Sequence, residues 1–210
     1  MAINFIKNIN MKRVIRILSV IVLFLSSCND DYIDTGLAVS KHDISMYDYF
    51  KTDPYNWDST RLIIDRAELK PYFDGSNSEY SNITFFGPTN FSIVRWMKNN
   101  NFKSVSAIPT AKCDSLIKMY IVKKLYMKDD FAFEVKGTEL GGTKITKIDN
   151  QDIRVFRRKT NYGTIADAGP VEMHLQTYAA SQYVMIASSN ILTNTGVVHS
   201  LSYTYTFGNF

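Results

Sequence analysis

The chain has 210 residues, with 24 Lys and Arg against 20 Asp and Glu. Four of the basic residues, Lys7, Lys12, Arg13 and Arg16, fall in residues 1–27, which hold no acid, so residues 28–210 balance at 20 against 20. The basic character therefore belongs to the leading segment and is no argument for a nucleic-acid partner, and two cysteines exclude a disulfide-built scaffold.

The basic opening runs into Ile17-Leu-Ser-Val-Ile-Val-Leu-Phe-Leu25, uncharged and mostly apolar. Spanning a bilayer takes roughly 20 apolar residues, so this run is too short for a membrane helix. A basic stretch before a short apolar core is the layout of a secretory signal peptide. The run ends in Leu25-Ser26-Ser27-Cys28, which resembles a bacterial lipobox. Small side chains suit the bond that a signal peptidase cuts, and the Cys28 thiol is the nucleophile that accepts a diacylglycerol. Residues 1–27 are thus expected to be removed, counted from Met1 or from the more usual opening Met11-Lys12-Arg13. Cys28 then leads the mature chain on palmitate-type acyl chains, each buried methylene contributing about 0.8 kcal/mol of membrane affinity. Lipidation of Cys28 leaves Cys113 alone and no intrachain disulfide.

Residues 28–39 begin Cys28-Asn29-Asp30-Asp31-Tyr32-Ile33-Asp34 and read as an acidic, flexible tether. Asp30-Asp31 resembles the surface-export tag that follows the lipidated cysteine in one group of Gram-negative bacteria. The tether lacks the final glutamate of a calcium loop. Beyond it, Asp43 is the expected N-cap of a short helix over 43–50, ended by Asp53-Pro54. Thr60, Ile63, Ile64 and Ala67 share one face of a second helix over roughly 57–69. Residues 71–81 read as a loop. Ile83–Phe86 is a short strand closed by Gly87-Pro88, and Asn90 is placed to cap a helix with Ile93, Val94 and Met97 on its apolar face. Asn99-Asn100-Asn101 stops that helix. Another starts near Thr110, carrying Cys113, Leu116, Ile117 and Tyr120 on one face.

From residue 121 the pattern changes to strands, expected over 121–126, 143–148, 153–156, 172–176 and 183–187. A final strand is expected over 201–207, where Leu201, Tyr203, Tyr205 and Phe207 alternate with Ser202, Thr204 and Thr206. Between them, Arg154-Val-Phe-Arg157-Arg158-Lys159 reads as a solvated hairpin rather than a nucleic-acid contact. Helices early and strands late give a single α+β domain over 40–210.

Two motifs in this frame resemble the fasciclin-like domain family. Thr84-Phe85-Phe86-Gly87-Pro88-Thr89-Asn90-Phe91 is similar to the family's strand ending in Phe-Ala-Pro-Thr-Asn before a helix. Asn194-Thr195-Gly196-Val197-Val198-His199 is similar to its late Asn-Gly-Val-Ile-His. The resemblance implies opening helices and an antiparallel-rich, twisted wedge of sheet. It singles out Pro88, Thr89, Asn90, Tyr120, Gly196, Val197 and His199 as fold-signature or binding positions. Two departures stand out: Gly87 replaces alanine, and Thr195 is an extra residue. Where family members often carry a Tyr-His pair linked to integrin recognition, this chain has Met119-Tyr120, so integrin binding is not carried over. Independently of the resemblance, Thr89 or Asn90 can offer an oxygen to a helix start, Gly196 permits positive φ, and His199 can hydrogen-bond near the first motif.

No catalytic constellation stands out. His42, His174 and His199 lie at no metal-ligand spacing, and no nucleophile elbow or phosphate-cradling loop is present. No cofactor and no metal are expected. The expectation is a noncatalytic adhesion or binding lipoprotein of the bacterial outer membrane, surface-exposed, with a protein or polysaccharide ligand. The alternatives are an accessory glycan-binding lipoprotein of a polysaccharide-uptake system, with the 13 Tyr and 13 Phe as a source of stacking rings, and an envelope enzyme without a recognisable motif.

Overall fold

Four α-helices precede most of a seven-stranded sheet in a computed structural model that describes residues 40–177 and 183–208. Cys28 and the 28–39 tether lie outside the described residues. Helix α1 spans Met46–Thr52; its N-cap is Ser45, whose hydroxyl accepts from Asp48 N–H, rather than Asp43. Asp43 instead pairs with Lys41 on the surface. Helix α2, Pro54–Arg66, starts earlier than its apolar face indicates. Asp53 caps it and Pro54 occupies the first turn, where a missing N–H costs nothing. The residues that end α1 thus begin α2. Helix α3 is Asn90–Asn99 and α4 is Thr110–Lys118.

Strand β1 is Ile83–Gly87, β2 Ile121–Val122, β3 Thr143–Thr146 and β4 Asp152–Lys159. Strand β5 is Val171–Thr177, β6 Tyr183–Thr193 and β7 Gly196–Leu201. Their spatial order is β2-β1-β7-β6-β5-β4-β3. The β1–β7 pair is parallel and every other pair antiparallel, which makes a mixed sheet. The two sequence motifs are therefore adjacent strands, with Ile83 opposite Gly196 and Phe86 opposite His199.

Helix α2 packs on α1, α3 and α4. Its Thr60, Ile63, Ile64 and Ala67 are buried as the periodicity requires, and Trp57 extends the stripe. The core is strongly aromatic: Phe50 lies 5.2 Å from Trp57 and 5.8 Å from Phe85, and Phe73 meets Phe85 edge-on at 5.0 Å. Each such ring contributes about 1.5–3 kcal/mol by leaving water. On α4, Cys113, Leu116 and Ile117 are buried, and desolvation raises the Cys113 thiol pKa, so it behaves as a small hydrophobe.

Four expectations are corrected. Val94 is exposed; Ile93 and Trp96, with Ser92, form the buried face of α3. The strand expected over 121–126 pairs only through Ile121–Val122. Beyond it, side chains replace the ladder: the Thr84 hydroxyl donates to Lys124 O at 2.7 Å and accepts from Tyr126 N–H at 2.8 Å. The strand expected over 201–207 does not form. Strand β7 ends at Leu201, and Tyr205 N–H turns back to Ser202 O. Leu201, Tyr205 and Phe207 still point inward, but Tyr203 does not. Finally, the 154–159 run lies in β4, next to the edge strand β3 and paired antiparallel with β5, and Arg154 within it is buried rather than solvated.

Candidate binding site

The first motif is a junction between helices. Pro88 ends β1 and its carbonyl accepts from the buried Thr60 hydroxyl at 2.5 Å. Thr89 occupies the N-cap of α3 without making a side-chain cap bond, and Asn90 does not cap α3 either. The Asn90 carboxamide reaches instead into α2. Its Oδ1 accepts from Ser59 N–H at 2.7 Å, and its Nδ2 donates to Pro54 O at 2.8 Å and Tyr55 O at 2.7 Å. One side chain thereby brackets a rung of another helix and fixes α2 against α3. Gly87 stands where the family has alanine because Trp57 fills the space: a Cβ there would lie 2.6 Å from the indole Cζ3.

The second motif is equally structural. Gly196 has φ +147°, and a Cβ on it would lie 2.1 Å from Ile83 O, so only glycine lets β7 approach β1. Val197 is fully buried opposite Thr84. The extra residue Thr195 has a role: its hydroxyl accepts from Met46 N–H at 3.0 Å and donates to Phe73 O at 3.0 Å, tying the start of α1 to the β6–β7 turn. His199 is fully buried and stacks on Phe86 at 5.6 Å. Its Nδ1 accepts from Asn190 N–H at 3.2 Å, so Nε2 carries the proton and donates to Tyr126 O at 2.9 Å. Asn190 sits in the irregular stretch of β6, and the imidazole takes the N–H left without a place in the ladder. Burial lowers the His199 pKa to about 4, against the smaller, opposite effect of the bond to the Tyr126 carbonyl. Tyr120 is fully buried; its hydroxyl pairs with the Tyr205 hydroxyl at 2.8 Å and accepts from Gly208 N–H at 2.7 Å.

The accessible surface lies beside these residues. A groove of about 320 Å³ opens next to the Pro88–Asn90 turn, floored by Tyr49, Trp57 and Leu201 and edged by Phe91, Tyr203 and Ser188. Phe91 is 49% exposed, Tyr203 65%, and Tyr55, which meets Phe91 edge-on at 5.9 Å, 72%. Arg95 of α3 holds the Tyr203 turn by donating to the carbonyls of Tyr203 (3.0 Å), Thr204 (2.8 Å) and Tyr205 (3.1 Å). Asp53 is the one charged residue in the lining, and burial keeps the Tyr49 hydroxyl protonated by raising its pKa. Thr89 also lines the groove, and its buried Oγ1 has no hydrogen-bond partner among the described residues. Aromatic faces with a few hydroxyls suit a neutral, partly apolar ligand.

The seven motif residues thus gather on β1, β7 and their flanks, and of them Thr89 alone lines the groove. Sequence reasoning missed Phe91 and Tyr203. Phe91 lies off the Ile93–Trp96 face of α3, a signal available in the sequence; the position of Tyr203 depends on Arg95 and left none. No group of three or more His, Cys, Asp or Glu is arranged to hold a metal among the described residues.

Comparison with known proteins agrees with this architecture. No curated protein matches the chain at significance. Among solved structures, a FAS1 domain pair from the insect cell adhesion molecule fasciclin I matches with a TM-score of 0.54 at 10% identity, over 78% of this chain and 50% of that one. This chain therefore spans half the length of that relative, and at such identity the likeness speaks for the fold alone. The fasciclin domain family model matches residues 56–204, and the chain belongs to the fasciclin domain family.

Proposed function

We propose that this chain is a noncatalytic binding domain, held at the bacterial outer membrane by acylated Cys28 and engaging its ligand through the groove edged by Phe91 and Tyr203. The observation that carries the proposal is the pair of exposed rings, Phe91 and Tyr203, that edge the groove, with Tyr55 against Phe91 just outside it, in a domain whose other motif residues are committed to the fold. Loops and element ends displayed by a rigid scaffold are where binding residues concentrate. The insect relative is itself described as a cell adhesion molecule, which supports adhesion as the outcome of binding. Envelope attachment rests on Leu25-Ser26-Ser27-Cys28, and surface display on Asp30-Asp31. The same rings favour a second reading, an accessory glycan-binding lipoprotein of a polysaccharide-uptake system.

Metabolic labelling with a clickable fatty acid tests the anchor: label enters the natural chain and is lost in Cys28→Ala. Absence of label from the natural chain would sink the anchored reading. The groove is tested by coating beads with the full chain and following bead–cell association. Phe91→Ser with Tyr203→Ser abolishes association if the groove is the contact; undiminished association refutes it. Binding of the chain to a neutral polysaccharide column, lost in the same double variant, selects the glycan reading.

A further inference from the structure

A second site lies on β4, outside everything assigned above. Alternation along the strand turns Ile153 and Val155 into the core and puts Arg154, Phe156 and Arg158 on the opposite face. The 133–142 hairpin covers that face, and between hairpin and strand lies a cavity of about 500 Å³. Four cations line it, Lys136, Arg154, Arg158 and Lys159, against two carboxylates, Glu134 and Glu139.

The distribution of partners leaves positive charge over. Arg158 takes both oxygens of Glu134, at 2.6 and 2.8 Å, and this guanidinium holds the Glu134 carboxyl below its ordinary pKa. Lys136 reaches out to Asp167 at 3.1 Å. Arg154 is only 6% exposed, yet its three bonds go to neutral acceptors: Gly141 O at 2.8 Å, Leu140 O at 2.7 Å and Gln176 Oε1 at 2.9 Å. No carboxylate lies within ion-pair distance of Arg154 or Lys159 among the described residues. Glu134 acts on Arg154 only at longer range and is already bound to Arg158, so the cavity carries more positive than negative charge, and an anion entering it improves that balance. The rim supplies a flat surface as well: Tyr183 is 48% exposed, with the Arg158 guanidinium 4.8 Å over its ring.

We propose that this cavity binds an anionic sugar, a carboxylate- or sulfate-bearing pyranose, whose acid group is held by the cations of the lining, with Lys159 at the exposed end, while its ring packs against the exposed part of Tyr183. Guanidinium forks match planar oxyanions, and aromatic faces attract the polarised C–H groups of a sugar ring.

Isothermal titration of the full chain at low salt compares a galacturonic-acid tetrasaccharide and a sulfated galactose tetrasaccharide with neutral galactose tetrasaccharide. At least one acidic sugar binds ten-fold or more tighter than the neutral one, and its affinity falls as salt rises. Lys159→Glu, at an exposed position, weakens that binding at least five-fold while leaving thermal unfolding unchanged; Tyr183→Ala also weakens it at least five-fold, with a lower melting temperature from the lost contacts to Phe156 and His174. Equal affinity for acidic and neutral sugars, no heat with either acid, or binding indifferent to both substitutions overturns the proposal. Inorganic sulfate binding as tightly as the sulfated sugar overturns its sugar part. The groove variants Phe91→Ser and Tyr203→Ser leave this titration unaltered, which separates the two sites.

Discussion

Lowering the pH should destabilise the domain through His199 well before its carboxylates titrate. In the unfolded chain an imidazole protonates near pH 6.5; in the fold His199 resists protonation down to about 4. Between those values the unfolded state binds a proton that the folded state refuses. Stability is therefore fully present above pH 6.5 and is lost as pH falls toward 4, with a slope of up to about 1.4 kcal/mol per pH unit. The whole span is worth about 3 kcal/mol. The structural cause is visible: both ring nitrogens are used, and a second ring proton would meet Asn190 N–H, a donor, inside a shell containing Phe86 and Phe131. Asp74, held at about 2 by Lys70, and the lowered Asp48, Glu134 and Asp152 act only at more acidic pH. Urea unfolding between pH 7.5 and 5, read by the fluorescence of buried Trp57 and Trp96, measures the slope. His199→Gln keeps one hydrogen bond, costs about 1–3 kcal/mol at pH 7.5 and removes His199's share of the slope. A natural chain equally stable at pH 7 and 5, or an undiminished slope in the variant, would refute the reasoning.

The remaining predictions concern the two motifs and the groove. Gly87→Ala drives a methyl into the Trp57 indole and costs about 1–3 kcal/mol by urea unfolding; adding Trp57→Phe recovers part of that loss, so the double-mutant cycle shows favourable coupling. Gly196→Ala, with its Cβ set against Ile83 O, destabilises more strongly than Gly87→Ala, because neither backbone can yield, and the loss shows as a lower melting temperature. Asn90→Ala unfastens the first turns of α2 and costs about 2 kcal/mol, with faster amide exchange at Ser59 as its local signature. Arg95→Met releases three carbonyls of the Tyr203 turn; the melting temperature drops by a few degrees and any ligand held by the groove loses affinity.

How far the sequence could be read follows from which forces act locally. The faces of α2 and α4 were legible because burial repeats with the helix itself, so Thr60, Ile63 and Ile64, or Cys113, Leu116 and Ile117, are enough to orient them. The α+β order was within reach for the same reason, and His199 was expected near the first motif, but its parallel pairing opposite Phe86 is a long-range contact that no local pattern encodes. Tyr203 was not legible. Its alternation with Tyr205 and Phe207 is that of a strand, but Arg95, over a hundred residues away, satisfies the carbonyls that a neighbouring strand would have taken. Arg154 was misread because a run of cations signals solvent, and only the 133–142 hairpin converts that position into an interior one. Asn90 was legible as important, but its hydrogen-bond partners belong to a helix more than thirty residues earlier.

These corrections share a direction. Pro88, Asn90, Gly196, Val197 and His199 each work on backbone that has lost a regular partner or on a close approach between strands. They keep the β1–β7 parallel pair and the α2–α3 junction in place. Such residues tolerate little change whatever the domain binds, so two fasciclin domains can share them and still recognise different ligands. On the two proposals made above, ligand choice resides where substitution leaves the fold intact: on Phe91 and Tyr203 at the groove, and on Lys159 at the β4 cavity. The two surfaces differ in chemistry, one aromatic and nearly uncharged, the other carrying cations in excess. A domain with both can hold a neutral partner and an acidic one without the sites competing. In that arrangement these five motif residues act on ligands only through the scaffold, and their substitution should weaken both sites together, in proportion to lost stability.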